Sequence, residues 1–212
     1  MINKLFVYAC KNGDTELVKL LLLANTCQID PGTDNNCAIR CASEMGHTEI
    51  VKLLLNDPRV DPSADDNYAI QWASLKGYTE VVRLLLNDPR VNPNDNNKNA
   101  MRWASLKGYT EIVKLLLRAV DPGDNNRAIR LACNNSHTEI VKLLLNDPRV
   151  DPSSYDNNAV KYTRSMVIMD ILLEKVHLPT GVDITNYKKF LIRKKYMLKL
   201  LSTKVYDYSK LF

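Results

Sequence analysis

The chain has 212 residues, 45% of them hydrophobic and 25% charged, which fits a globular protein and excludes wholesale disorder. Only seven glycines are present, with no G-x-G-x-x-G or G-x-x-x-x-G-K-[ST] sequence, which excludes the common phosphate-cradling loops. The net charge of +5 is uneven: residues 187–212 hold eight basic residues and one acidic residue (+7), leaving 21 basic against 23 acidic (−2) before them.

From the N-terminus, Met1 to Phe6 shows no long apolar stretch, so no signal peptide is expected. No run approaches the roughly 18–20 apolar residues of a membrane span. Five cysteines, an odd number without framework spacing, suit a reduced intracellular setting, with the cytoplasm expected. With three Phe and two Trp, the interior must come mainly from Leu, Ile, Val and Ala.

One phrase then recurs along the chain. Its clearest copy runs from Ala38 through Gly46-His47-Thr48-Glu49 to Leu53-Leu54-Leu55, and it returns from Ala69, Ala100 and Ala128. The intervals are 31, 31 and 28 residues. An eroded copy spans Ala9–Leu20, and a degraded one begins at Ala159. The expected organisation is an N-terminal capping repeat at 1–35 and repeats at 36–66, 67–97, 98–125 and 126–156. A degenerate terminal repeat at 157–184 and a basic helix and tail at 185–212 complete it.

Each unit reads as two helices. Gly46, Gly77 and Gly108 end the first in a left-handed conformation. Thr48, Thr79, Thr110 and Thr138 are N-cap candidates for the second, each followed by Glu at its positive end. Asn56-Asp57-Pro58 stops that helix, and Asp-Asn elements such as Asp34-Asn35-Asn36 form a tight turn into the next unit.

At Ala42–Leu55 and its copies the chain resembles the ankyrin repeat family, whose A-x-x-G-H-x-x-[VI]-V-x-L-L-L core it carries over about 175 residues. The family's T-P-L-H start is absent, and Cys37-Ala38-Ile39-Arg40 stands in its place. Units two residues short of the family's length imply stubby fingers. The shortened D-P-R-V-D-P variety is similar to ankyrin proteins of giant viruses of amoebae. The resemblance implies an all-α helix-turn-helix solenoid of about six repeats, with short fingers and a C-terminal capping helix. It also implies a non-enzymatic scaffold, monomeric, that presents a concave face to a protein partner, a host protein if the chain is viral. Its variable positions fall on Glu44, Met45, Leu75, Lys76, Leu106, Lys107, Asn134 and Asn135 of the helices. On the fingers they fall on Asp34, Asp65, Asn96 and Asp124.

Other residues have plainer readings. Trp72 and Trp103 share a repeat position; packing between layers is expected, an exposed anchor being the alternative. Arg40, Gln71, Arg102, Arg130 and Lys161 form a ladder expected to hydrogen-bond the Asp/Asn turns. Cys10 and Cys133 take the small-residue place of Ser43, Ser74 and Ser105. Cys37 and Cys41 lie four apart, but no second pair converges on them, and His47 and His137 alternate with Tyr78 and Tyr109 in a packing role. The Asp61 segment lacks the Gly and Glu of a calcium loop. No catalytic, cofactor or metal site is expected.

Residues 187–201 suggest an amphipathic helix that caps the stack. The alternatives are an adaptor segment that recruits a ubiquitin ligase, and a basic tail that touches nucleic acid. Unit four lacks three residues after Leu117, so a local change of loop is expected there.

Overall fold

Two helices per unit, as the repeat predicts, run through the computed structural model, which describes residues 1–24, 29–93, 99–119, 125–152, 159, 163 and 165–175. Among these residues there are eleven helices and no strand. α1 (Ile2–Asn12) pairs with α2 (Thr15–Leu23), α3 (Thr33–Met45) with α4 (Thr48–Leu55), and α5 (Ala64–Lys76) with α6 (Thr79–Leu86). α7 (Asn99–Lys107) pairs with α8 (Thr110–Ala119), and α9 (Asn125–Asn134) with α10 (Thr138–Leu145). α11 (Met166–Lys175) packs on α10. The first helices α1, α3, α5, α7 and α9 touch in that order, and the second helices make a second row beside them. This is a helix-turn-helix solenoid.

Its interior is a set of ladders. Ile39, Ile70, Met101 and Ile129 come from the first helices, and Leu54, Leu85, Leu116 and Leu144 from the second; all are buried. Each such side chain contributes about 1.5–3 kcal/mol by leaving water. Ala42, Ala73, Ala104 and Ala132 are buried between them, small enough for helices to approach closely. One position breaks the apolar pattern. The Ser43, Ser74 and Ser105 hydroxyls are buried without a hydrogen-bond partner, where Cys10 and Cys133 supply a small apolar group instead. Ser74→Ala is therefore expected to raise stability by about 1 kcal/mol, since a desolvated, unsatisfied hydroxyl disappears. Urea unfolding would show it as a higher midpoint at unchanged slope, and a lower midpoint would refute it.

The Asp-Asn elements are left-handed turns. Asp34, Asn35 and Asn36 have φ of 53°, 57° and 58°, and Asp65, Asp66 and Asn67 have 59°, 56° and 63°. Three consecutive left-handed residues are costly for most side chains, and Asn and Asp tolerate them best. Two of the ladder residues, Arg40 and Gln71, hold these turns as expected. Arg40 donates to the carbonyls of Asn35 (3.0 Å) and Asp34 (3.2 Å), and Gln71 donates to that of Asp66. Asn36 Oδ1 accepts from the Asp61 backbone N–H at 2.7 Å, and Asn126 Oδ1 from that of Asp151 at 2.9 Å, so the turn also grips the following loop.

Between the helices of a pair, Gly46 (φ 78°) and Gly77 (φ 86°) are left-handed, as the sequence predicts. A second constraint was not legible: a Cβ on Gly46 would lie 2.7 Å from the Tyr78 ring, and one on Gly77 2.7 Å from the Tyr109 ring. His47 and His137 sit similarly over Gly13 and Gly108. The ring Nε2 of each donates to a carbonyl of the preceding unit, Lys11 and Leu106, at 3.0 Å. The threonine caps need correction. His47, Tyr78 and His137 occupy the N-cap position, and Thr48, Thr79 and Thr138 are the first helical residues. The Thr48 hydroxyl donates back to the Gly46 carbonyl at 3.4 Å. Packing the ring on glycine needs the N-cap place, which pushes threonine one residue inward.

The D-P-R phrase does more than stop a helix. Asp88 accepts from the Arg90 backbone N–H (3.0 Å), Nε (2.9 Å) and Nη2 (2.7 Å), which fixes the guanidinium beside it. Arg90 then donates to the carbonyls of Val60 (2.7 Å) and Leu55 (2.9 Å) in the preceding unit. Arg59 reaches the Ile29 carbonyl at 3.0 Å and Arg149 the Leu117 carbonyl at 3.4 Å from equivalent clamps. The unit-four junction at 120–124 lies outside the described residues.

Candidate docking surface

Successive first helices bring equivalent positions into line, so a helix-end residue of one unit lies beside its counterpart in the next. Glu44 and Met45 end α3, Leu75 and Lys76 end α5, Leu106 and Lys107 end α7, and Asn134 lies at the end of α9 with Asn135 next to it. Met45, Lys76, Lys107, Asn134 and Asn135 are exposed, whereas Glu44, Leu75 and Leu106 are half-buried. Asp34 and Asp65 are exposed at the left-handed turns. Asn96 and Asp124 lie outside the described residues, as do residues 176–212 and every expectation placed on that tail.

Side chains organise this row at its upstream end. Arg40 Nη1 lies 2.6 Å from Asp65 Oδ2, linking α3 to α5, and its guanidinium sits 5.2 Å from the centre of the Tyr68 ring. Tyr68 donates its hydroxyl to Glu44 at 3.1 Å; burial first, and that carboxylate second, push its pKa up to about 12. Tyr68 also stacks on Trp72 with ring centres 5.4 Å apart, and Lys76 lies 5.8 Å over the same indole. Trp72 is thus sandwiched on its own helix, and Trp103 is 37% exposed. That corrects the expectation of tryptophans packed between layers. The position faces outward from the stack, so an indole there covers helix surface without entering the core. Tyr68 was not singled out from the sequence, although its spacing of four from Trp72 places the rings on one helical face.

Cys10, Cys41 and Cys133 are poor nucleophiles. Burial pushes the thiols of Cys10 and Cys133 up to about 12 and, with the neighbouring Cys37, that of Cys41 to about 11. Such thiols stay protonated and unreactive near neutrality. Cys37 and Cys41 stand 3.5 Å apart at their sulfurs, and no group of three His, Cys, Asp or Glu residues that could hold a metal occurs among the described residues. Nor is any described helix long and apolar enough to cross a membrane.

Comparison with protein-family models finds ankyrin repeats (three copies) over residues 3–66 and 56–126, and a further ankyrin repeat over residues 124–157. No curated protein matches the sequence.

Proposed function

Since the chain belongs to the ankyrin repeat family, whose repeats are generally protein–protein interaction modules and typically non-enzymatic scaffolds, we propose that it captures a partner protein on its first-helix row. The observation that carries this reading is the makeup of that row. Trp103 and Met45 are exposed, Leu75 and Leu106 are half-buried, and lysines flank the leucines. The row stands on helices fixed by their neighbours, so little ordering cost falls on binding. Repeated positions then act as independent sites of choice, and side-chain identity sets specificity without altering the scaffold. The partner is a host protein if the chain is viral, and the scaffold works as a monomer.

The double variant Leu75→Asp, Leu106→Asp tests this. Affinity purification from the native cell with the wild-type chain, followed by the same experiment with the variant, is expected to lose the partner. The melting temperature should change little, because neither leucine belongs to the fully buried ladders. Undiminished capture by a folded variant would sink the proposal.

A further inference from the structure

Charge is distributed differently on the two rows of helices. Along the second helices it is neutralised in place: Arg83 Nε lies 3.1 Å from Glu80, Lys114 Nζ 2.6 Å from Glu111, and Lys142 Nζ 3.9 Å from Glu139. This follows from sequence, because each second helix opens with Thr-Glu and places a base three residues after the Glu. The first helices of units three to five lack that compensation. From Tyr68 onward α5, and all of α7 and α9, contain Lys76, Arg102, Lys107, Arg127 and Arg130 with no Asp or Glu. Arg102 is engaged by Asn99 at 3.5 Å, which leaves Lys76, Lys107, Arg127 and Arg130 as the cations of this face. Of the two acids just upstream, Asp65 is held by Arg40, and Asp66 is exposed in the left-handed turn before this stretch.

We propose that this face receives an extended acidic segment of the partner, its carboxylates meeting Lys76, Lys107 and Arg130 and an apolar side chain resting on Trp103 and Leu106. This rests on the docking reading above and names the chemistry of what docks. Opposite charge across the contact steers encounter and fixes register. Two other polymers are disfavoured on the same grounds. The chain's own C-terminal segment carries +7 at residues 187–212 and would be repelled. A nucleic-acid strand would need open aromatic faces for its bases. Trp72 is already covered by Tyr68 and Lys76, and a phosphate backbone continuing upstream would meet Glu44 and Asp65.

Fluorescence anisotropy of the full chain tests the proposal with three labelled probes. They are a peptide of about twelve residues rich in Glu and Asp around one Leu, its Lys-substituted counterpart, and a single-stranded DNA of similar extended length. The acidic peptide is expected to bind, more weakly as salt rises because exposed charges are screened beyond roughly 10 Å at 0.1 M. Lys107→Glu and Arg130→Glu should each weaken it about tenfold, and Lys142→Glu on the second-helix row should not. Circular dichroism confirms that each variant is folded, and Lys107→Gln, which adds no repulsion, should give a smaller loss in the same direction. Failure of the acidic peptide to bind, equal binding of the Lys peptide, tighter binding of DNA, or indifference to Lys107→Glu and Arg130→Glu would each overturn it. If native-partner capture is lost with Leu75→Asp, Leu106→Asp but survives both charge reversals, the docking row stands and the acidic segment falls.

Discussion

Gly77→Ala is expected to destabilise the stack by about 2–3 kcal/mol, although it adds only a methyl group. Two costs combine. A residue with a Cβ held at φ 86° is left-handed, at about 1–2 kcal/mol. The new carbon would also lie 2.7 Å from Cζ of Tyr109, closer than atoms pack, so the ring must shift, at a cost of about 1–3 kcal/mol. Reduced freedom of the unfolded chain offsets part of this, by about 0.4–1 kcal/mol. Because Tyr109 belongs to the following unit, the second cost falls on the junction between units three and four. A solenoid is stable through such junctions, so weakening one should broaden the urea transition as well as shift it. A double-mutant cycle with Tyr109→Ala separates the two costs: in that background Gly77→Ala should retain only the backbone share. Equal losses in both backgrounds would show that the ring contact contributes nothing.

Arg90→Ala should cost about 2 kcal/mol and change how stability responds to acid. The side chain donates charge-assisted bonds to two carbonyls of the preceding unit, and its partial exposure keeps the loss below the full value of two such bonds. The same guanidinium, through its hydrogen bonds, holds the Asp88 carboxyl below the usual carboxylate range; Asp57 and Asp147 are held down likewise by Arg59 and Arg149. A pKa lowered by folding means that the ionised form is the one the fold favours. This stabilisation is present in full above the unfolded value near pH 4 and is lost as pH falls through the lowered folded value. Urea midpoints at pH 7 and pH 3 should therefore differ less for Arg90→Ala than for the wild type. An identical acid loss in both would remove Asp88 from the account.

How much of this was written in the sequence depends on whether the partner of a residue is local. Helix ends at Gly46 and Gly77, the left-handed Asp-Asn turns, and the grip of Arg40 and Gln71 on those turns all involve residues within six positions, and the sequence predicts them. The threonine caps misled because an equally local rule, Thr at the N-cap, is overridden by a tertiary one, the stacking of Tyr78 on Gly46 in the unit before. The D-P-R clamp was missed for the same reason. Proline accounted for the helix stop, while the carbonyls that need Arg90 lie 30 and 35 residues back. A signal existed: Asp and Arg keep a spacing of two at Asp57/Arg59, Asp88/Arg90 and Asp147/Arg149, and the pair is missing from the shortened unit four. For the docking row, repeat register alone aligned Leu75 with Leu106 and Lys76 with Lys107, whereas the outward position of Trp103 depends on which side of the first helix its neighbour covers.

The span of those arginine clamps has a mechanical consequence. Each reaches a carbonyl 30 to 35 residues back, about one unit, so tension between the ends of the chain would load these junctions in series. Under force the molecule would lengthen in increments: a unit of 31 residues, once freed, extends to about 100 Å while its neighbours keep their folded length.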